Sequence, residues 1–333
     1  MAGQRRFADA DSLRPVVCAA FGAGRHPTDV ERLSGGSKKG AYRITVDDGS
    51  TALVYIWNSS EDFWPEVSPE GADDPAAPLS HASGLDLFEA AARRLTMAGV
   101  RCPGLLLVDR SRELYPGDIA VVEHVPGGSL EALLEKDSAA AQRPLAVLAD
   151  WLAAMEACRS ASFGKVAVAD AGQASRGGSC PQVVLDRALR DLSEVRARDP
   201  RAARDGNRLE DLMHALAGPL EPRQSSVLVH GELGPDHILL DRNGDPVLID
   251  IEGLMYFDAE WEHVFLRMRF GEHYPRLVRP GLDPDRLQFY RLALHLDLVA
   301  GPLRIADTEH PERDWFLKVA EYHLRQALTF LVS

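Results

Sequence analysis

The sequence predicts an α+β fold with two lobes, a small lobe built on an antiparallel sheet and a larger, mainly helical lobe. Three observations support this prediction. Strand-like segments joined by short turns occur mostly before residue 125, and helical patterns dominate after it. The length of 333 residues also exceeds the roughly 100–200 residues of one typical domain. We therefore expect an N-terminal lobe over residues 1–124 and a C-terminal lobe over residues 125–333.

The first lobe is predicted from alternating apolar residues and turn signals. A helix over 11–24 precedes a glycine-rich loop at 34–40. Three antiparallel strands are predicted here, one leading through Leu33 into the glycine-rich loop, one over 42–46 and one over 52–57, the last two joined by the turn Asp-Asp-Gly-Ser. Residues 58–83 are rich in acids, prolines and serines, which indicates an inserted loop. The remaining elements of this lobe are a helix over 84–99 and strands over 104–108 and 119–122.

The second lobe is predicted to be helical around one strand and one small hairpin. The strand covers residues 227–229, and the hairpin pairs residues 238–240 with 246–250 across Asn243-Gly244. Apolar residues recur at helical spacing in the other segments. The predicted helices are 129–136, 140–158, 181–197, 205–219, 261–270 and a region from 284 onward.

Composition excludes several classes of partner. The formal net charge of −13 argues against a nucleic-acid ligand and permits a cationic one. The four cysteines form no Cys-x-x-Cys pair, which argues against a disulfide framework or a structural zinc site. No apolar run approaches the roughly 20 residues of a membrane span. We expect a cytoplasmic protein that binds neither nucleic acid nor membrane.

The most informative stretch lies between residues 230 and 253. It reads HGELGPDHILLD over 230–241 and IDIEG over 249–253. A strand end thus delivers Glu232, and a hairpin delivers Asp250. Phosphoryl transfer needs one acid to orient the attacking hydroxyl and others to hold magnesium on the phosphates. This pattern therefore indicates a phosphotransferase site.

With its flanking motifs, the sequence resembles the aminoglycoside phosphotransferase and choline kinase-like family of small-molecule kinases. These motifs are the glycine loop, Glu89, EHVPG at 123–127, SFG at 162–164 and FDAEWE at 257–262, and the resemblance covers residues 28–330. It implies a protein-kinase-like fold and a magnesium-dependent kinase that uses ATP or GTP. The acceptor implied is a hydroxyl of a small molecule, with cationic and nucleoside antibiotics both compatible. Antibiotic resistance and antibiotic biosynthesis are the commonest settings of the family.

The resemblance also implies roles for individual residues. The family's catalytic Asp falls on Glu232, and His230 is a second catalytic candidate. The metal-binding Asp is retained as Asp250. His237 stands where the family has a metal-binding Asn, and Glu252 is an additional metal-ligand candidate.

The nucleotide site departs from the family pattern. The family's strand Lys or Arg falls on Tyr55, so we expect Lys38 or Lys39 to supply that charge from the loop, as in with-no-lysine protein kinases. The predicted nucleotide-binding residues are Gly35, Gly36, Ser37, Lys38, Lys39, Glu89, Glu123 and Val125. The acids Glu260 and Glu262 are predicted to contact the substrate.

Two other functions stay open from the sequence. The departures from the family pattern are also compatible with a nucleotide-binding pseudokinase that has a regulatory role. A metal-dependent hydrolase would have to use His230, His237, Asp250 and His263, although their spacing matches no common zinc motif.

Overall fold

A computed structural model of the protein describes residues 5–34, 37–64 and 73–332. The chain forms two compact units. Unit 1 comprises Met1–Trp64, Ser83–Pro144 and Asp236–Glu252. Unit 2 comprises Pro65–Ala82, Leu145–Pro235 and Gly253–Ser333. The hairpin that carries Asp250 therefore belongs to unit 1, although it follows most of unit 2 in the sequence.

The strands and helices follow in chain order. The strands are β1 (Pro27–Arg32), β2 (Gly40–Val46), β3 (Thr51–Trp57), β4 (Leu105–Asp109), β5 (Asp118–Glu123), β6 (Arg159–Ser160), β7 (Gly164–Lys165), β8 (Ser226–Val229), β9 (Ile238–Leu240), β10 (Pro246–Leu248) and β11 (Met255–Phe257). The helices are α1 (Ala10–Phe21), α2 (Leu85–Met97), α3 (Leu130–Lys136), α4 (Gln142–Ala157), α5 (Val166–Asp170), α6 (Cys180–Arg198), α7 (Pro200–Ala217), α8 (Ala259–Phe270), α9 (Pro284–Ala306) and α10 (Arg313–Thr329).

Unit 1 is organised by an antiparallel sheet with the strand order β1-β2-β3-β5-β4. Every second residue of β2 is buried, namely Tyr42, Ile44 and Val46, as expected for a strand with one face on a core. Helix α1 packs its buried residues Leu13 and Val16 into the same apolar cluster. The sheet therefore gives the loop between β1 and β2 a rigid base.

The β9–β10 hairpin of unit 1 is tied to the segment that follows β5. The Gly127 amide donates a hydrogen bond to the Leu240 carbonyl over 2.8 Å, and the Leu240 amide donates to the Gly128 carbonyl over 2.9 Å. A Cβ atom at Gly127 would lie only 2.4 Å from the Leu240 carbonyl oxygen. Only glycine permits this close approach, which fixes the hairpin that leads to Asp250.

Unit 2 combines a small antiparallel sheet, in the order β6-β8-β11-β7, with long helices. Its main core is a large apolar cluster that includes the aromatic residues Phe257, Trp261, Phe289 and Tyr290, all at most 4% exposed. Helix α9 packs against α6, α8 and α10. This core supports β8 and β11, and the predicted catalytic loop begins where β8 ends.

Most predicted elements are present, with a few differences that have physical causes. The strand expected before the glycine loop is present as β1, Pro27–Arg32, but its bounds could not be predicted because its residues do not alternate in hydropathy. Helix α7 begins at Pro200 rather than 205, because the Asp199 side chain caps its first turn. The strands β6 and β7 each have two residues, too few for a periodic signal. None of the described helices has the length and hydropathy needed to cross a membrane.

Candidate active site

The glycine loop of unit 1 brings a lysine to the predicted metal-binding acids. The Lys39 Nζ atom lies 3.0 Å from Asp250 Oδ1 and also forms an ion pair with the Glu252 carboxylate. Its side chain is 13% exposed. Burial alone would lower the pKa of Lys39, but the charges of Glu252 and Asp250 outweigh it and raise the pKa above its ordinary value. Lys39 therefore stays a cation at neutral pH.

Tyr55 lies in β3 and is the residue predicted to stand where the family pattern has a basic residue. Its ring is 6% exposed and makes edge contacts with Trp57 and Phe88. The Lys39 Nζ atom lies 5.1 Å from the centre of this ring, within the range of a cation–π interaction. Lys39 thus lies beside the residue that the sequence predicts at the position of the family's strand cation. Of the two candidate lysines, Lys39 is the one that lies beside Tyr55, whereas Lys38 pairs with Asp62.

The acids near Lys39 have the chemistry of a partial magnesium site. Asp250 has a left-handed backbone conformation (φ 58°) and a half-exposed side chain, whereas Glu252 is 6% exposed. The Glu252 Oε2 atom is buried and accepts no hydrogen bond from any described residue. Magnesium prefers oxygen ligands and takes one or two carboxylates, completing its shell with phosphate oxygens and water. The two carboxylates therefore fit this ion when a phosphate ligand is also bound.

His237 lies at the edge of the same group of residues. Its Nε2 atom is 3.8 Å from Asp250 Oδ2 and 3.8 Å from Asp236 Oδ2. Its carbonyl oxygen accepts a hydrogen bond from the Ile249 amide over 2.9 Å. This bond joins the turn before β9 to the end of β10. His237 therefore braces the hairpin at Asp250, whatever its side chain binds.

Among the residues that the structure describes, protein side chains alone form no complete metal centre. Within the described ranges, no group of three or more His, Cys, Asp and Glu side chains is arranged to hold a metal ion. His263, which the hydrolase alternative requires, is 1% exposed and contacts Tyr274 and Glu156. The structure thus offers the hydrolase alternative no metal-binding cluster among these residues.

The loop of unit 2 that carries Glu232 is held by its backbone. The Gly231 amide donates a hydrogen bond to Glu262 Oε2 over 2.8 Å, and the Trp261 indole donates to the Gly231 carbonyl over 3.1 Å. Gly231 has φ 96°, a conformation that favours glycine. Both groups that hold Gly231 come from the first turn of α8. The Glu232 side chain next to this anchored residue is exposed.

Glu232 and His230 differ sharply in their surroundings. His230 is 1% exposed at the end of β8, so its ring is a core group. Burial lowers the pKa of Arg187, but the charges of Asp297 and Asp191 outweigh it, so the pKa is raised overall. The charge of Glu232 makes a smaller contribution in the same direction. The Arg187 Nε atom donates to Asp297 Oδ1 over 3.1 Å. The structure therefore provides a fixed cation within electrostatic range of Glu232.

The two acids predicted to contact substrate are buried within unit 2. Glu262 is 3% exposed and holds Gly231. Glu260 is 1% exposed and accepts two hydrogen bonds from the Arg223 guanidinium, over 2.7 and 2.8 Å. These contacts favour supporting roles for both acids, since their carboxylates are already bound by the protein.

The other predicted residues of the glycine loop have local partners, except where they lie outside the described residues. Gly35 and Gly36 fall in that undescribed part. Ser37 Oγ accepts a hydrogen bond from the Trp64 indole over 3.2 Å. Lys38 pairs with Asp62 over 3.1 Å and so points to a different acid from Lys39.

The remaining nucleotide-binding candidates lie on α2 and at the end of β5. Glu89 forms an ion pair with Arg110 and is 25% exposed, so it has an arginine partner in place of the family's strand lysine. Glu123 pairs with Arg101 over 2.8 Å, and Val125 is 6% exposed. The ion-pair partners of Lys39 are instead Asp250 and Glu252.

Sequence reasoning missed two residues near the Glu232 loop, Trp261, which holds Gly231, and Arg187, which interacts electrostatically with Glu232. Arg187 lies on α6 at a spacing of four residues from Asp191, and Asp191 itself falls on the apolar face of that helix. A charged pair on an apolar stripe is a detectable signal, because charges are rarely buried unless they are paired. Trp261 gave no local signal, since its hydrogen bond reaches back 30 residues.

Comparison with solved structures identifies the fold. One similar structure is a thermostable mutant of aminoglycoside phosphotransferase APH(4)-Ia, in ternary complex with AMP-PNP and hygromycin B. Its sequence is 17% identical to this chain, and the alignment covers 94% of this chain and 98% of that one with a TM-score of 0.61. Spectinomycin phosphotransferase APH(9)-Ia, in complex with ADP and spectinomycin, is 12% identical, with 95% coverage of both chains and a TM-score of 0.64.

LicA in complex with AMP is 11% identical, with coverage of 96% of this chain and 98% of that one and a TM-score of 0.60. These likenesses confirm the predicted protein-kinase-like fold. A search of curated proteins finds no match. The family model described as "Phosphotransferase enzyme family" matches residues 29–298, which is most of the chain. The chain therefore belongs to this phosphotransferase family, as its motifs predicted.

Proposed function

We propose that the protein transfers the γ-phosphoryl group of ATP or GTP to a hydroxyl group of a small molecule. The observation that carries this proposal is the cluster of Lys39, Asp250 and Glu252 in unit 1, where one buried cation meets two carboxylates. A lysine can neutralise phosphate oxygens, and carboxylates can hold the magnesium that accompanies a nucleotide. The cluster thus supplies both kinds of group that a triphosphate requires.

Magnesium fits Asp250 and Glu252 and, when bound, would neutralise charge on the β- and γ-phosphates. In the proposed reaction the Lys39 ammonium holds phosphate oxygens. A triphosphate with its ion offers Lys39 an anionic partner and offers the two carboxylates a cation. The ion pair that Lys39 forms with Asp250 and Glu252 without nucleotide is therefore consistent with a nucleotide site, because both sides gain a new partner when the nucleotide binds.

Glu232 is the proposed base for the acceptor. The acceptor oxygen forms a new bond to the γ-phosphorus while the bond from that phosphorus to the β,γ-bridging oxygen breaks. The hydroxyl proton passes to the Glu232 carboxylate, and the nucleoside diphosphate leaves with the bridging oxygen. The exposed position of Glu232 suits contact with a substrate, and the anchored Gly231 limits its freedom. His230 supports this loop from within the core.

The proposed acceptor class is a hydroxylated antibiotic. Two structures with the same fold contain hygromycin B or spectinomycin, which supports this class as the first to test. The described cysteines Cys18, Cys102, Cys158 and Cys180 are all free thiols, and we propose that the protein works in the cytoplasm, where nucleoside triphosphates are abundant.

The test is nucleotide consumption with ATP or GTP and a panel of hydroxylated antibiotics that includes hygromycin B and spectinomycin. Asp250→Asn and Glu232→Gln are each expected to lower turnover by at least about 100-fold, the typical contribution of a general base or a metal-binding acid. Consumption that persists in Asp250→Asn would contradict the proposed site.

Lys39→Met and Lys38→Met form a matched pair for the nucleotide. The first is expected to raise the KM for the nucleotide by about tenfold or more, the effect of losing one charged hydrogen bond, and the second to change it little. Nucleotide binding that depends on Lys39 without turnover of any acceptor would instead support the pseudokinase.

A further inference from the structure

A cavity lies in unit 2, among α8, α9 and α10, and the proposed reaction does not use it. Its volume is about 500 Å³. This falls within the roughly 300–1,000 Å³ range of small-molecule sites. We call it the α8–α10 cavity. Residues of all three helices line it, including Arg267 of α8, Arg291 of α9 and Tyr322 of α10.

The cavity is lined by two positive charges and by no acidic side chain. In the described part of the chain, neither Arg267 nor Arg291 forms an ion pair, although Arg291 lies over the Phe330 ring at 4.6 Å. Partial burial and then the charge of Arg267 lower the pKa of Arg291. Two guanidinium groups without a carboxylate between them repel each other. A bound anion would relieve this repulsion.

A histidine on the same wall adds no charge. His295 is 8% exposed, and its Nδ1 atom lies 2.8 Å from the Nδ1 atom of His323. Burial, with His323 and Arg291 as further causes, lowers the pKa of His295 to about 3. The imidazole is therefore neutral at physiological pH. The positive potential of the cavity comes from the two arginines.

The rest of the wall is largely apolar. Met268, Leu287 and Leu294 contribute aliphatic surface, and the Tyr322 ring is 55% exposed at the rim. An inorganic anion would leave this apolar surface in contact with water. A ligand with an anionic head and an apolar body would cover it and would pair with the guanidinium groups, which match carboxylate and sulfonate oxygens in geometry.

We infer that the α8–α10 cavity binds a small organic anion with an apolar body, held by Arg267 and Arg291. The residues that line this cavity belong to unit 2, whereas the Lys39 cluster belongs to unit 1. Its ligand is defined by charge and by apolar surface rather than by hydroxyl groups. The inference does not depend on the phosphotransferase activity.

The test uses isothermal titration calorimetry on the full chain with octanoate, octanesulfonate, octanol and octylamine. Octanoate or octanesulfonate is expected to bind with one-to-one stoichiometry. Octanol is expected to bind at least about tenfold more weakly because it lacks the charge, and octylamine is expected not to bind. Equal affinity for octanoate, octanol and octylamine would overturn the inference, as would no binding of either anion.

Variants separate the cavity from general surface charge. Arg267→Ala and Arg291→Ala should each weaken binding of the anion by about tenfold. Arg291→Lys keeps the charge and should restore part of the affinity, which also checks that the fold is intact. Arg269→Ala is the control: it removes an exposed arginine of α8, the helix that carries Arg267. Arg269 does not line the cavity, so this variant should leave the affinity unchanged. Full affinity in the Arg267→Ala/Arg291→Ala double variant would overturn the assignment.

Discussion

Replacement of Lys39 by alanine should destabilise unit 1 through the carboxylate that it leaves behind. Glu252 is 6% exposed and Lys39 is 13% exposed, so their ion pair is largely shielded from water. Removal of one partner of a buried pair typically costs about 3–5 kcal/mol. The lower value applies because the second acid, Asp250, is half exposed and can be hydrated. We expect a loss of about 3 kcal/mol, or roughly a hundredfold in the folding equilibrium.

Urea denaturation at pH 7 measures this loss, and a double-mutant cycle assigns it. Glu252→Gln keeps the shape of the side chain and removes the charge. If the cost of Lys39→Ala arises from an isolated Glu252 charge, the Lys39→Ala/Glu252→Gln variant should regain at least about 1 kcal/mol over Lys39→Ala.

Lys38→Ala is the matched control. Its ion pair with Asp62 involves a carboxylate that is 36% exposed, so its removal should cost less than about 1 kcal/mol. Equal losses for Lys38→Ala and Lys39→Ala, together with no coupling between Lys39 and Glu252, would refute the reasoning.

Three further predictions concern other parts of the fold. Burial is the main reason why the pKa of His295 is lowered to about 3 and that of His323 to about 4. Below pH 6.5 the unfolded chain therefore binds more protons than the folded protein, and the folded protein becomes less stable as the pH is lowered. At pH 5 the loss should be up to about 2 kcal/mol for each histidine, and urea titrations of the His295→Leu/His323→Leu variant should show a weaker dependence on pH. Gly127→Ala introduces a Cβ atom 2.4 Å from a carbonyl oxygen of β9 and should lower the melting temperature by several degrees, whereas an unchanged melting curve would contradict this contact. Arg223→Ala leaves the Glu260 carboxylate, which is 1% exposed, with the Asp283 amide as a remaining hydrogen-bond donor, and calorimetric unfolding should reveal a loss of about 3 kcal/mol that Glu260→Gln in the same chain reduces.

The sequence predicts best those parts of the fold that depend on local patterns. The strands β2 and β3 follow from alternating or continuous apolar residues, and the turn between β9 and β10 follows from Asn243-Gly244. The strand β1 lacks such a pattern because it is a polar strand at the edge of the sheet. Its pairing with β2 depends on backbone hydrogen bonds, which side-chain patterns do not encode.

The candidate site is predictable in its parts but not in its contacts. The motifs identify Glu232 and Asp250, and the missing strand cation directs attention to Lys38 and Lys39. The choice of Lys39 requires the structure, because 211 residues separate this lysine from Asp250. The burial of Glu260 likewise depends on Arg223, a partner 37 residues earlier in the chain.

The proximity of Lys39 to Tyr55 also determines how this region reacts with electrophiles. A reagent designed to acylate the family's strand lysine would meet a phenol in β3, and burial raises the pKa of Tyr55 to about 12. The nearby amine of Lys39 is held as an ammonium ion by Glu252 and Asp250, and an ammonium ion has no lone pair for attack. At neutral pH both groups are therefore poor nucleophiles. Inhibitors of this protein should gain affinity from reversible contacts rather than from covalent capture of a lysine.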